Sequence, residues 1–122
     1  MRREISVAPS NSVVLVMDRT TGVIPDSMSG GLVAATSSCV AIGTLSENDG
    51  ETSICLSDEG RPSGLGDGPV FDGILMTPSR TLAVCSVLGE VLVEMQVRSD
   101  KTHVQMWAND TAEPDRIEVV VA

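Results

Sequence analysis

Carboxylates are the most numerous chemically capable side chains in this sequence, and they form two groups. The first group lies in the segment SENDGE (46–51) and just after the next apolar run, and the second lies in NDTAEPD (109–115). Clustered carboxylates can bind calcium or meet a basic surface of another protein. The candidate partner-binding residues are Glu47, Asp49, Glu51, Asp58, Glu59, Asp110, Glu113 and Asp115.

The turn chemistry of SENDGE favours a structural explanation over a metal loop. The EF-hand register, D-x-[DN]-x-[DN]-G followed by a glutamate, is not met here. Asp49-Gly50 is typical of a two-residue hairpin turn, because glycine adopts positive φ without steric cost. We therefore expect a hairpin between the strands of CVAIGTL (39–45) and TSICLS (52–57), with no metal and no cofactor. A calcium site remains an alternative.

Catalytic chemistry finds little support in the residue types. Acid–base or nucleophilic catalysis needs a base beside an activated nucleophile. His103 is the single histidine, and no partner for it is identifiable in the sequence. Cys39, Cys55 and Cys85 are widely spaced and lack basic neighbours, which indicates small buried residues rather than reactive thiols. The single tryptophan, Trp107, is expected to pack in the core, and we do not expect an enzyme.

The charge balance restricts the partners. The chain has 122 residues, with 17 acids, 8 bases and a net charge of −9. Such a chain is repelled by nucleic acid and by anionic membranes, and it is attracted to basic proteins. The length suits one domain over residues 1–122. The first residues lack the apolar run of a secretion signal, so a cytoplasmic location is the default expectation.

Period-2 hydrophobic alternation dominates the chain and predicts strands. The clearest case is EVLVEMQV (90–97), where Val91, Val93, Met95 and Val97 share a face. About eight or nine short strands, separated by turn signals, predict an all-β antiparallel sandwich, jelly-roll-like, or a barrel. Residues 57–69 read as a long exposed loop, and residues 25–29 are the candidate for one short helical turn.

Three stretches resemble small bacterial all-β proteins of the competence protein J family, which includes a DNA-entry nuclease inhibitor. These stretches are GLVAATSSCVAIGTL (31–45), FDGILMTPSRTLAV (71–84) and the acidic turn before IEVVV (117–121). The resemblance covers about half of the chain. It implies a β-sandwich that works by binding another protein, such as a nuclease or a toxin. No individual functional residue is carried over from it.

The sequence thus predicts an acidic, non-enzymatic binding protein of the inhibitor or immunity type, acting on a basic nuclease or toxin. One alternative is a structural domain that self-associates into a homo-oligomer through the apolar strands 91–97 or 117–121. A second alternative is a module that binds calcium or a small ligand.

Overall fold

The computed structural model describes residues 1–60, 65 and 68–122, and these form ten strands. Part of the loop expected at 57–69 therefore lies outside the described residues. The strands are β1 (Arg2–Val7), β2 (Val13–Asp18), β3 (Val33–Ala35), β4 (Cys39–Gly43), β5 (Thr52–Ser57), β6 (Phe71–Met76), β7 (Thr81–Ser86), β8 (Val91–Gln96), β9 (Lys101–Ala108) and β10 (Arg116–Val121).

The strands form two five-stranded sheets, which we call sheet A and sheet B. Sheet A has the order β1-β5-β10-β9-β6, and sheet B has the order β3-β4-β2-β7-β8. All pairs but one are antiparallel, and neither sheet closes on itself. The predicted β-sandwich is confirmed, and the barrel alternative is wrong.

One pair in sheet A is parallel. β10 runs alongside β5, with Ile117 opposite Ile54 and Val119 opposite Leu56. Parallel neighbours need a connection that crosses over, and here the sequence between these two strands supplies β6 and β9 of sheet A and β7 and β8 of sheet B. Period-2 alternation carries no information on strand direction, so the sequence did not indicate this pair.

The core lies between the sheets and is made of aliphatic side chains. Val14 and Val16 on β2 meet side chains such as Ile54, Leu56 and Ile117 from sheet A, and all of these are fully buried. The segment THVQMWA (102–108) on β9 alternates as a strand with one buried face does, since Val104, Met106 and Ala108 point into this core while His103 and Gln105 do not. β-branched residues suit this interior because their side chains pack well on a pleated surface.

The predicted hairpin at Asp49-Gly50 is wrong, although a turn is present. The backbone N–H of Asp49 donates to the carbonyl of Ser46 at 2.8 Å, and Gly50 has a φ of 142°. The flanking strands do not pair with each other: β4 lies in sheet B and β5 lies in sheet A. Cys39 and Cys55 are therefore on different sheets, and 44–51 is a connection that crosses the sandwich.

Three smaller expectations also need correction. The short strand β3 (Val33–Ala35) was not anticipated, and residues 25–29 form no helix. A register shift between Val84 and Cys85 interrupts the β7–β8 pairing. As a result Val91 is 38 % exposed and does not join the core with Met95.

No helix in the described part of the chain has the length and hydropathy to cross a membrane.

Candidate functional site

The structure brings six of the eight predicted acids together at one end of the sandwich, which we call the acidic end. Glu47, Asp49 and Glu51 come from the 44–51 connection, and Asp110, Glu113 and Asp115 come from the 109–115 loop; all six are exposed. A backbone hydrogen bond joins the two segments, since Leu45 N–H donates to the Pro114 carbonyl at 2.7 Å, and beside it Ser53 N–H, at the start of β5, donates to the Asp115 carbonyl at 2.8 Å. The two acidic groups are therefore one surface.

Asn109 holds the 109–115 loop in shape. Its side-chain oxygen accepts from the backbone N–H groups of Asp115 and Arg116, both at 3.1 Å, and its amide donates to the Asp115 carboxylate at 2.6 Å. Asp110 adds a local turn, since its carboxylate accepts from the N–H groups of Ala112 and Glu113. These bonds hold the pKa of Asp110 below its ordinary value. The loop presents its acids from a braced backbone.

The 44–51 connection is braced by the segment that precedes β2. Glu47 N–H donates to Ser12 Oγ at 3.0 Å, and Asn11 N–H donates to the Glu47 carboxylate at 3.2 Å. The carboxylates of Asp49, Glu51 and Glu113, by contrast, form no hydrogen bond or salt bridge with the residues that the structure describes. Those three groups are the ones free to meet a partner.

Asp58 and Glu59 do not belong to this surface, which corrects the sequence-based grouping. They follow the far end of β5, which at six residues is about 20 Å long. There both carboxylates form salt bridges with the Met1 amino group. The hydrogen bond from that amino group holds the pKa of Asp58 below its ordinary value. Their proximity to SENDGE in sequence does not persist in space, because an extended strand separates them.

The bases are concentrated at the other end of the molecule. Strand pairing and loop hydrogen bonds place there the six residues Arg2, Arg3, Arg19, Arg80, Arg98 and Lys101. Arg116 lies near the acidic end, but its guanidinium donates to the Glu118 carboxylate at 3.1 Å. Arg61, the eighth base, lies outside the described residues. The molecule is therefore electrically asymmetric along its strands.

Glu118 is a buried carboxylate that pairs with two arginines, and the sequence alone did not predict this ion-pair cluster. It is 2 % exposed on the outer face of sheet A, between Arg2 and Arg116, each at 3.1 Å. Burial raises the pKa of Glu118, but the hydrogen bonds from both arginines more than offset burial, so the pKa lies below its ordinary value. The sequence did carry a signal for its position: Glu118 alternates with the core residues Ile117 and Val119, so its side chain belongs to the opposite face of the strand.

His103 has a partner that the sequence did not reveal. Its Nε2 lies 2.6 Å from the carboxylate of Asp72 on β6, and the Gln105 amide donates to the same carboxylate at 3.0 Å. The hydrogen bond with His103 is the main reason why the pKa of Asp72 is lowered. The pair is exposed on the outer face of sheet A.

The cysteines and Trp107 are buried outside the main core. Burial raises the pKa of Cys39 to about 12 and that of Cys55 to about 11, so neither is a thiolate near neutral pH. All three cysteines are free. Trp107 is 2 % exposed and packs with Leu65 and Val120 on the outer face of sheet A, rather than between the sheets. Within the described ranges, no His, Cys, Asp or Glu side chains group in threes as metal ligands require.

The ten described strands form a β-sandwich whose fold is similar to that of two solved structures. One is ComJ from Bacillus subtilis, described as an inhibitor of the DNA degrading activity of NucA, with a TM-score of 0.64 and 11 % identity over 99 % of this chain and 93 % of that one. The other is the crocagin biosynthetic gene J product, with a TM-score of 0.60 and 11 % identity over 99 % and 96 %.

The predicted resemblance to the competence protein J family is thus confirmed at the level of the fold. No protein-family model and no curated protein matches the chain.

Proposed function

We propose that this protein is a non-enzymatic inhibitor, of the immunity type, that binds a basic nuclease or toxin through its acidic end. One observation carries the proposal: six exposed carboxylates from two segments distant in sequence share one braced surface. Among the bases that the structure describes, Arg116 is the one beside them, and it is already paired with Glu118.

The proposed mechanism is competition with nucleic acid for a basic cleft. Nucleases bind phosphates with arginine and lysine, and these same groups form charge-assisted hydrogen bonds with carboxylates. Asp49, Glu51 and Glu113 would occupy positions that the phosphates of the substrate otherwise take. Association is then fast at low ionic strength and slows as salt screens the two fields.

The braced loops favour binding because less conformational freedom is lost on association. An exposed apolar side chain lies at the same end: Leu88, in the turn between β7 and β8, is 79 % exposed. The N–H groups of Leu88 and Glu90 both donate to Ser86 Oγ, which holds this turn in place. A partner with a small apolar pocket beside its basic cleft would bury Leu88.

The similarity to ComJ supports the same class of function, since ComJ is described as an inhibitor of the DNA degrading activity of NucA. The likeness is one of fold, so the proposal of the acidic end as the binding surface is supported by the charges of this chain and not by the neighbour.

The test is inhibition of DNA degradation by a nuclease or nuclease toxin from the same cell, followed with fluorescent duplex DNA. The double variant Asp49→Asn/Glu113→Gln removes two unpaired carboxylates from the acidic end. We expect it to weaken inhibition roughly 10- to 100-fold, since each lost charge pair is worth about 1 kcal/mol or more.

The matched control is Asp26→Asn/Asp100→Asn, which removes the same charge from exposed acids elsewhere. It should inhibit like the parent protein at equal ionic strength. Equal weakening by both double variants would mean that net charge alone acts, and an unaffected Asp49→Asn/Glu113→Gln protein would exclude the acidic end as the binding surface.

A further inference from the structure

A cavity opens between the two sheets at the end opposite the acidic end. Its volume is about 260 Å³, and its apolar wall is formed by Met95 on β8, Val97 just after β8, and Val121 on β10. This is smaller than the pockets that hold drug-sized ligands, which start at roughly 300 Å³. The interior of the sandwich is thus accessible here to a small apolar group.

Two cationic side chains stand at the rim of this cavity. Arg98 and Lys101 both line it, and neither forms a salt bridge within the described part of the chain. The acid on the wall is Asp58, whose carboxylate is bound by the Met1 amino group. An incoming anion would therefore find a guanidinium and an ammonium that form no salt bridge with the residues that the structure describes.

The rim is held in shape by the turn that carries it. Val97 N–H donates to the Arg80 carbonyl at 2.9 Å, and Thr77 N–H donates to the Asp100 carbonyl at 2.7 Å. The Thr77 hydroxyl donates to the Ser99 carbonyl at 2.8 Å. Because the backbone from 97 to 101 is tied at three points, the two cations need little ordering to receive a ligand.

We propose that this cavity binds a small organic carboxylate with an apolar body. The apolar body would lie against Met95, Val97 and Val121, where it removes apolar surface from water. The carboxylate would meet Arg98, whose guanidinium matches it with two parallel hydrogen bonds, and Lys101 as a point charge. This site is separate from the acidic end and does not depend on the proposed inhibitory function.

Octanoate is the probe, and binding is followed by amide chemical shifts of the isotopically labelled protein. We expect saturable shifts confined to residues 95–102 and 121–122. Octanamide, which has the same body without charge, should bind at least about tenfold more weakly. Octylammonium should be weaker still, because it would meet two cations.

The variant Arg98→Gln/Lys101→Gln should lose octanoate affinity at least about tenfold, while its melting temperature stays near that of the parent. Arg80→Gln, at the same end but not lining the cavity, is the control and should bind octanoate normally. Equal binding of octanoate and octanamide would overturn the proposal. So would octylammonium binding more tightly than octanoate, or unchanged affinity in the double variant.

Discussion

At the scale of single residues, Asp18 is a carboxylate that depends on several hydrogen bonds for its burial. It is fully buried at the end of β2, and its carboxylate accepts hydrogen bonds from Thr20, Thr21 and Ser79. Burial raises the pKa of Asp18, but the hydrogen bonds from Ser79 and Thr21 outweigh burial, so the pKa lies below its ordinary value. The residue joins the turn after β2 to the turn before β7.

Asp18→Asn should therefore destabilise the protein by about 2–4 kcal/mol at neutral pH. One carboxylate oxygen becomes an NH₂ group that faces donors rather than accepting from them. Urea denaturation measures the change in the free energy of unfolding. Asp26→Asn, an exposed acid in the following loop, is the control and should change it by less than about 0.5 kcal/mol.

The same variant has a predictable pH dependence. Because the folded pKa of Asp18 is lowered, its ionised form contributes stability above the unfolded pKa of about 3.9, and this contribution is lost as the pH falls through the folded pKa. The difference between parent and Asp18→Asn should be full at pH 7 and shrink below about pH 4. A difference that stayed constant down to pH 3 would contradict the role assigned to the charge.

At the scale of elements, the sequence predicts where the strands lie better than it predicts which strands pair with each other. Nine of the ten strands coincide with apolar runs or period-2 alternation, because burial on one face requires that spacing. The partner of a strand is decided by the whole chain. Asp49-Gly50 makes a turn in either case, and only the position of β1 and β10 beside β5 places that strand in sheet A.

The same distinction, between local properties and contacts that the whole chain decides, applies to the candidate site. Composition and turn chemistry identified the eight acids and their exposure, which are local properties. Their grouping required the structure, because β5 carries Asp58 and Glu59 away from Glu47 while β10 brings Asp115 toward it. The pairing of His103 with Asp72 was likewise invisible, since the two residues meet only through the β6–β9 register.

The 109–115 loop supplies an element-scale prediction. Asn109→Ala removes three hydrogen bonds, so the amides of Asp115 and Arg116 should exchange with solvent at least about tenfold faster. The free energy of unfolding should fall by only about 1–2 kcal/mol, because the loop is exposed. Hydrogen exchange followed by NMR measures both effects.

Asn48→Ala, in the other acidic segment, is the control: the side chain of Asn48 is exposed and forms no hydrogen bond with the described residues, while its backbone N–H donates to Ser46 Oγ. Unchanged exchange at Asp115 and Arg116 in Asn109→Ala would show that the loop is held by its backbone bonds alone.

At the scale of the whole molecule, the separation of charge has a cost for stability. Six exposed carboxylates repel one another at the acidic end, on a chain of net charge −9. Salt screens this repulsion over about 10 Å at 0.1 M and about 3 Å at 1 M. Raising NaCl from about 20 to 500 mM should therefore increase the melting temperature by roughly 2–5 °C.

The double variant Asp49→Asn/Glu113→Gln should be more stable at low salt and should show a smaller increase, as measured by differential scanning calorimetry. If both proteins gained equally, the repulsion would have to arise elsewhere on the surface.

The parallel pair β5–β10 also bears on how the molecule is made. β5 ends at Ser57 and β10 begins at Arg116, so the centre of sheet A joins segments that are far apart in the chain. Pairings between distant segments close large loops and slow folding. During synthesis, β1 and β5 leave the ribosome long before β10. Until β10 emerges, the apolar residues Ile54 and Leu56 lack the neighbouring strand that they have in the folded sheet. Sheet A therefore completes its centre only when the last strand of the structure is available.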